Sequence, residues 1–421
     1  MTDLELSRLF IAVVALLAAA LGGGYLFDRL GLPRVVGEIG GGLLLGPSAL
    51  GLAAPDVFAW LYEAGPEQAR ALEVLYWIGL VLLMFISGFR VQQHLSRDDG
   101  RTIVAVFLAA TVPPFAIGWM APDWFDLAPY MGEGAHPTAF RIVVAVAVTV
   151  TSIPVISKIF IDLGIMHTRL AKIVLACSTV QDLLLWSALA VATGLASGAA
   201  TGEAAAVDAG YVMKKVAITL GFLGVSLVLG RTLMRRAAHA LPAGAGDGPP
   251  AIGLVLGVCF VFAAVASLVG VNAVFGALVA GIAIGAMPQA GFAGIKDRIS
   301  DVSLAFFVPV YFALVGLRVD LPNHFDAGFT LLFMAGSTAL VMVSVMLGAR
   351  LVGKSLLTSL NLGMAMNTRG GPGIVLASVA FAFGIISQSF FVTLVIAAVV
   401  TSLVSGAWFR AVHGRSLPLY N

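Results

Sequence analysis

Asp182 is a carboxylate set deep inside a long apolar stretch of the sequence. If that stretch is a helix that begins near Arg169, Asp182 lies about 13 residues in, or ~20 Å at 1.5 Å per residue. This depth matches the middle of a lipid bilayer, where a charge costs about 2.5–3.5 kcal/mol on insertion scales. An acid kept at such a cost is predicted to be functional. A structural acid paired with a buried Arg369 is the alternative, and the two roles are compatible.

Oxygen-bearing side chains near Asp182 indicate what the acid could bind. Ser178 lies four residues earlier on the same helical face, and Gln181 directly precedes the aspartate. Thr151 and Ser152 add hydroxyls in the preceding apolar stretch. Hard oxygen ligands suit an alkali-metal cation, and a desolvated carboxylate must be neutralised by a proton or by a cation. We therefore predict that a monovalent cation and a proton compete for Asp182, which is the coupling that an antiporter needs.

The stretch before Asp182 carries a proline where a smooth helix would otherwise run. Pro154 lies in the segment TSIPV, and Thr149, Thr151 and Ser152 precede it. Proline removes a helical N–H and clashes with the preceding turn. Unwound backbone at membrane depth is tolerated only where it is buried in protein or lines a wet cavity. The pattern predicts a helix broken near Thr151–Pro154, with an ordinary proline kink as the alternative.

A second interruption lies in the segment AMNTRGGPGIV, residues 365–375. A helix is not expected to run smoothly through its Gly-Gly-Pro-Gly segment, residues 370–373. Two interrupted helices in corresponding halves of a chain are a strong sequence pointer to the substrate site of a transporter. The residues predicted to form this second break are Asn367, Thr368, Arg369, Gly370 and Pro372.

The composition indicates what kind of protein positions these residues. Of 421 residues, 60% are hydrophobic and only 11% are charged, and the mean hydropathy is +1.01. A soluble domain of this length would carry far more charge. The continuous apolar runs favour membrane-spanning helices over a barrel, whose strands would alternate with period two. We predict an all-α polytopic membrane protein with no cofactor and no nucleic-acid partner, in which the two cysteines are core thiols.

Thirteen apolar runs are long enough to cross the roughly 30 Å hydrocarbon core of a bilayer as helices. If the seventh is a linker, two six-helix halves remain, and an odd linker makes them inverted repeats. The two interrupted runs are then the fifth helix of each half. The predicted spans cover residues 8–27, 34–51, 71–90, 102–121, 140–161, 169–195, 211–231, 251–269, 271–288, 299–318, 328–350, 356–383 and 385–409.

Basic residues set the predicted orientation. Of the 24 lysines and arginines, all but seven fall on one side when the N-terminus is placed outside. Basic residues accumulate in cytoplasmic loops. We therefore expect an integral protein of the inner or plasma membrane with an external N-terminus and a cytoplasmic C-terminus.

Several segments resemble the monovalent cation/proton antiporter superfamily, in the branch with the Kef-type potassium/proton systems and the plant cation/proton exchangers. The resemblance covers nearly the whole chain in order, as a transmembrane domain only. The matching segments are RLGLPRVVGEIGGGLLLGPSALG (29–51), TVTSIPVISKIFIDLGI (149–165), VQDLLLW (180–186), GVNAVFGALVAGIAIG (270–285), FFVPVYFALVGLRVDL (306–321) and LGMAMNTRGGPGIVL (362–376).

The resemblance implies a sodium/proton antiporter-like fold with crossed discontinuous helices, a homodimer and an elevator-type movement. It implies a scaffold and dimerisation part at 1–100 and 251–325, an ion-transport core at 101–195 and 326–409, and a linker helix at 211–231. No soluble regulatory domain is expected after the last span, which leaves room for a separate regulatory subunit.

The resemblance also implies that Gln181 acts as a selector, since Kef-type members carry glutamine before the aspartate. One carboxylate without a second acid beside it favours electroneutral exchange of one proton for one cation, with K⁺ preferred over Na⁺. The eleventh predicted span carries no lysine in its middle. The resemblance implies that electrogenic members of the superfamily have a lysine there, so its absence agrees with electroneutral exchange.

Two other function classes compete with antiport: a symporter, and a second class that is either an ion channel or a membrane-embedded enzyme. A sodium-coupled organic-anion symporter of similar crossed-helix fold would need a roomier polar pocket and a second sodium site. A channel would need a continuous polar lining, and a membrane-embedded enzyme would need a second catalytic group in a span. Neither signal is present in the sequence, so we expect a transporter and not an enzyme.

Overall fold

Apolar runs bounded by glycine, proline and charged residues form helices along the chain. The computed structural model describes residues 2–63, 65–90, 100–133, 136–200, 209–240, 248–285, 293–415 and 417–420. In chain order the helices are α1 (Asp3–Arg29), α2 (Arg34–Leu45), α3 (Leu50–Ala53), α4 (Pro55–Tyr62), α5 (Pro66–Arg90), α6 (Gly100–Trp124), α7 (Pro137–Thr149), α8 (Ile153–Asp162), α9 (Arg169–Ala200), α10 (Ala209–Ala240), α11 (Pro249–Leu268), α12 (Ala273–Gly285), α13 (Ala293–Val302), α14 (Val308–Leu317), α15 (Leu321–His324), α16 (Ala327–Leu351), α17 (Leu356–Met366), α18 (Gly370–Ala382) and α19 (Gln388–Gly414). A 3₁₀ turn covers Ala128–Tyr130, and a π-helical segment, Ser303–Phe307, joins α13 to α14.

Each of the thirteen predicted spans coincides with a helix or with consecutive helices. Ten helical segments of the described chain are long and apolar enough to cross a membrane. The other three positions are α10, the 13-residue apolar helix α12, and the interrupted pair α17 and α18. The last residues of the predicted ninth span, 286–288, lie outside the described residues. The all-helical class with two discontinuous spans is thereby confirmed.

The chain divides into two compact units. The first unit comprises Met1–Tyr25, Gly37–Gln93 and Val207–Val319. Its helices approach closely at glycines, as expected where membrane helices pack through small residues. A Cβ added to Gly42 of α2 would collide with the backbone of Ala313 in α14, and one added to Gly316 would collide with the backbone of Ile39.

The second unit comprises Leu26–Val36, His94–Ala206 and Asp320–Asn421. It holds both interrupted spans and the long helices α6, α9, α16 and α19 that pack around them. Its apolar core includes an edge-to-face pair between Phe160 of α8 and Phe409 of α19, with ring centroids 5.2 Å apart.

At one end of the second unit the turn before α7 is fastened to α16 and α19. The ring of Tyr130 stacks on Phe329 of α16 at 3.5 Å, and its hydroxyl donates to Asp326 Oδ2 at 2.6 Å. Asp326 also caps α16, because its Oδ1 accepts from the N–H of Phe329 at 2.9 Å. A short antiparallel bridge joins Met131 to Ile386, just before α19. These contacts hold the turn before α7 against the start of α16 and the residues before α19.

Candidate functional site

The fifth predicted span is two helices separated by extended backbone. α7 ends at Thr149, Val150 has φ −62° and ψ 136°, and α8 begins at Ile153. Ser152 caps α8 by accepting from the N–H of Val155 at 3.4 Å. Pro154 lies in the first turn of α8, where its missing N–H would be unsatisfied anyway. The predicted break is present, and it lies just before the proline.

The twelfth predicted span is also interrupted, at three of the five expected residues. α17 ends at Met366, and α18 begins at Gly370 and runs through the glycines and proline. The expectation that a helix could not run through residues 370–373 is wrong, because a helix tolerates Pro372 in its first turn. The break consists of Asn367, Thr368 and Arg369. Gly370 itself has φ +38°, and a Cβ there would lie 2.7 Å from Ser152 Oγ.

The two breaks are bonded to each other. The N–H of Ser152 donates to the carbonyl of Thr368 at 2.5 Å. The hydroxyl of Thr151 donates to the carbonyl of Met366 at 2.6 Å. All four residues are buried. The interrupted spans therefore meet at their breaks, with the C-terminal ends of α7 and α17 and the N-terminal ends of α8 and α18 gathered at one crossing.

Gln181 of α9 ties this crossing to α6. Its Nε2 lies 3.0 Å from the carbonyl of Thr149, 3.2 Å from the carbonyl of Ala110 and 3.4 Å from the hydroxyl of Thr111. The carbonyl of Thr149 is the last of α7, so no helical N–H reaches it. The side chain of Gln181 is fully buried. The amide nitrogen of Gln181, the predicted selector, thus donates to backbone carbonyls of α6 and α7.

Arg369 supplies a buried positive charge next to the end of α7. One guanidinium nitrogen donates to the carbonyl of Val148 at 3.4 Å, and the guanidinium lies 5.6 Å from the ring centre of Phe333. Its Nε and Nη1 are buried without a hydrogen-bond partner among the described residues. A cation at a helix C-terminus offsets the negative end of the helix dipole. The ion pair with Asp182, which the sequence left open as an alternative, is absent from the described residues, and Arg369 interacts with the helix end instead.

Asp182 lies on α9, one turn after Ser178. The hydroxyl of Ser178 is directed at the sulfur of Met366, 3.8 Å away, which brings this face of α9 to the end of α17. Three side-chain oxygens of α9 and the second break are buried without a hydrogen-bond donor among the described residues. They are Oδ1 of Asp182, Oε1 of Gln181 and Oδ1 of Asn367. Each can accept a hydrogen bond or bind a cation.

The predicted residues divide into those that the structure joins and those that it does not. Backbone or side-chain bonds join Thr151 and Ser152 to the second break, and the side-chain nitrogen of Asn367 donates to Thr338 Oγ1 at 3.3 Å. The hydroxyl of Thr149 instead bonds back to its own helix, at the carbonyl of Ala145. The hydroxyl of Thr368 likewise bonds within its own span, to the carbonyl of Met364.

Sequence reasoning missed the partners contributed by other helices. Thr111 of α6 contacts Gln181, Phe333 of α16 contacts Arg369, and the hydroxyl of Thr401 accepts from the N–H of Arg369 at 3.3 Å. The consecutive prolines of α6, Pro113 and Pro114, were the available signal, because a proline frees the carbonyl four residues before it. No local spacing pointed to Phe333 or Thr401.

Comparison with known proteins gives the family. Residues 13–413 match the family described as "Sodium/hydrogen exchanger, transmembrane". Cation/H(+) antiporter 18 of Arabidopsis thaliana is 28% identical over 417 residues, which are 97% of this chain and 49% of that protein. The chain thus spans about half the length of the plant relatives it matches. The high-affinity Na(+)/H(+) antiporter NhaS3 of Synechocystis sp. is 27% identical over 437 residues, covering 97% of this chain and 90% of that protein.

A solved structure shows the same fold. The sodium proton antiporter MjNhaP1 from Methanocaldococcus jannaschii superposes with a TM-score of 0.62 at 14% identity, covering 97% of this chain and 98% of that chain. The predicted membership of the monovalent cation/proton antiporter superfamily is confirmed. The chain is an integral membrane protein that belongs to the sodium/hydrogen exchanger family.

Proposed function

We propose that this protein exchanges a monovalent cation for H⁺ at Asp182. The observation that carries the proposal is the pair of donor-free oxygens on adjacent residues, Asp182 Oδ1 and Gln181 Oε1, both buried in the described chain. A buried acceptor without a partner costs about 1–3 kcal/mol. A dehydrated alkali cation or a proton neutralises the carboxylate, and we assign Gln181 Oε1 as a second, neutral ligand of the cation. Occupancy by one ligand therefore excludes the other.

The surrounding charges support this competition. The negative ends of α7 and α17 lie at the crossing, and Arg369 offsets the end of α7. The positive ends of α8 and α18 lie there as well. These fixed charges offset one another. Asp182 is then the group that is neutralised by a proton in one step of transport and by the cation in another.

We further propose electroneutral exchange of one cation for one proton, with K⁺ preferred over Na⁺. Two features support this stoichiometry: Asp182 has no second acid beside it in the sequence, and α16 contains no lysine. Glutamine beside the aspartate supplies a neutral oxygen where a second acid would add charge. The relative NhaS3 is named a Na(+)/H(+) antiporter, so a test of selectivity has to compare K⁺ with Na⁺ directly.

The second unit is our choice for the moving transport part, because it holds both interrupted spans, Asp182 and Arg369. The first unit is then the scaffold of an elevator-type cycle, and its glycine-packed helices suit a rigid body. We propose a homodimer with an external N-terminus and a cytoplasmic C-terminus. Accessibility of cysteines introduced at the termini tests the orientation, and light scattering of the purified protein tests the dimer.

The deciding experiment uses purified protein in sealed proteoliposomes with an internal pH dye and a preset proton gradient. K⁺, Rb⁺, Na⁺ or Li⁺ is added outside, with and without valinomycin and a protonophore. We expect K⁺ and Rb⁺ to dissipate the gradient regardless of membrane potential. Dissipation by Na⁺ or Li⁺ alone would overturn the selectivity, and no response to any cation would overturn antiport in favour of an organic-anion symporter.

Asp182→Asn is the variant that tests the site. It keeps the shape of the side chain and removes its charge, so exchange should fall to the level of empty vesicles. Asp162→Asn is the matched control, because Asp162 is partly exposed and its partner Lys158 retains Asp28 at 3.2 Å. Exchange that persists in Asp182→Asn would refute the assignment.

A further inference from the structure

The side-chain amide of Gln181 is held in one orientation by oxygens from two other helices. Its two N–H protons face three acceptors: the carbonyls of Ala110 and Thr149 and the hydroxyl of Thr111. A flipped amide would place Oε1 against both carbonyl oxygens, which cannot donate. The hydrogen-bond chemistry therefore fixes which end of the amide is which.

Both carbonyls are available because each lacks its helical donor. The carbonyl of Ala110 would normally receive the N–H of residue 114, but residue 114 is a proline inside α6. The carbonyl of Thr149 ends α7 at the break. A buried carbonyl needs a donor from elsewhere. Gln181 supplies it to both.

The consequence is seen at the other end of the amide. Oε1 of Gln181 is buried and has no donor within the described part of the chain. Because both protons of Nε2 are engaged, the side chain cannot rotate to hide that oxygen without breaking bonds to α6 and α7. An amide oxygen held in this way is a neutral ligand of fixed direction, on the residue directly before Asp182 in α9.

We propose that Pro114 and Thr111 of α6 are positioning residues for cation binding: they orient Gln181 so that Oε1 is presented to the cation. Neither residue touches the ion. The inference rests on the proposed function, since it assigns the origin of the second oxygen at the same site. It predicts that cation affinity depends on a proline in a helix that supplies no ligand of its own.

Pro114→Ala tests this directly. The new N–H at residue 114 competes for the carbonyl of Ala110, which weakens the hold on Gln181. Pro113→Ala is the matched control, because Pro113 is exposed on α6 and the carbonyl that it frees is not bonded to Gln181. Thr111→Val removes the third acceptor with little change in shape, and it serves if Pro114→Ala yields no folded protein.

In proteoliposome exchange, the KM for K⁺ should rise about three- to tenfold in Pro114→Ala, the change in affinity expected for the loss of one hydrogen bond. A smaller rise in the same direction is expected for Thr111→Val. The maximal rate and the dependence on the proton gradient should stay close to those of Pro113→Ala. KM values in both test variants within twofold of the Pro113→Ala value would overturn the proposal.

A second measurement separates this proposal from the proposed function. In protein labelled with ¹⁵N in the glutamine side chains, the Gln181 amide signal, assigned by its loss in Gln181→Ala, should be protected from hydrogen exchange. The protection should fall in Pro114→Ala and persist in Pro113→Ala. An unprotected wild-type signal would overturn the positioning role. A protein that exchanges no cation but shows this pattern would refute antiport alone and leave the positioning of Gln181 established.

Discussion

The backbone N–H of Ser152 donates to the carbonyl of Thr368 at 2.5 Å, joining two helix breaks that are more than 200 residues apart in sequence. Each break leaves backbone groups that its own helices cannot satisfy. At this crossing each span supplies donors to the other. The unwound segments are therefore structured parts of the protein, held by defined bonds.

The hydroxyl of Thr151 joins the two interrupted spans by a hydrogen bond to the carbonyl of Met366. Thr151→Val should therefore destabilise the protein. The substitution leaves the buried carbonyl of Met366 without its 2.6 Å donor, at about 1–3 kcal/mol. Thr149→Val is the control, since that hydroxyl bonds only within its own helix. The fraction of monodisperse protein after heating in detergent measures the difference. Equal losses in the two variants would mean that the hydroxyl of Thr151 does not hold the crossing.

Arg369→Met should make cation binding tighter and turnover slower. Methionine keeps much of the side-chain volume, and removing a buried charge that lacks full pairing need not destabilise a fold. Without the positive charge, the carbonyl end of α7 keeps only neutral donors such as Gln181, and a cation at Asp182 meets less repulsion. We expect the KM for the transported cation to fall roughly threefold or more and the maximal rate to fall with it. A raised KM would indicate that Arg369 acts only as a brace for the break.

Gly42→Ala should destabilise the first unit, whereas Gly40→Ala should not. A Cβ at Gly42 would overlap the backbone of Ala313, which cannot move like the end of a side chain. A Cβ at Gly40 would meet no atom within 4 Å. Overpacking typically costs about 1–3 kcal/mol. Detergent thermostability of the two variants, measured side by side, gives the comparison, and similar values would contradict the close approach of α2 and α14.

Stability should fall with decreasing pH through His136, which caps α7 outside the span. Its Nδ1 accepts from the N–H of Thr138 at 3.2 Å, which requires the neutral ring. Burial lowers the pKa of His136 below its usual 6.5. Below pH 6.5 the unfolded chain therefore takes up a proton that the folded chain resists, and this favours unfolding.

His136→Asn isolates this effect, because asparagine caps a helix well and does not titrate. Thermal stability measured from pH 8 down to pH 5 should decline less in His136→Asn than in the wild type. Parallel curves would show that His136 contributes nothing to the pH dependence.

Local sequence signals predicted the existence of both breaks. Pro154 placed the first break almost correctly, because proline acts on its own and the preceding turn. The second break was predicted correctly at Asn367, Thr368 and Arg369 but extended too far, since Gly370 and Pro372 are as compatible with the start of a helix as with an interruption. Only the capping geometry distinguishes the two.

The partners of Arg369 and Gln181 could not be predicted in the same way. Their bonds to Val148 and Ala110 cross 221 and 71 residues of sequence. A charge of opposite sign at similar depth made Asp182 the obvious partner for Arg369. Instead Arg369 donates to a helix end, because a break creates carbonyl acceptors that no residue pattern marks.

The bond from Thr151 to Met366 has a consequence for biogenesis. The carbonyl that Thr151 serves is synthesised 215 residues after Thr151 itself. While α7 and α8 are inserting, the unwound segment between them has no α17 to bond, so translocon, lipid headgroups or water must solvate it. The first half of the chain cannot reach its final form alone, and the crossing closes only when the second half has entered the membrane.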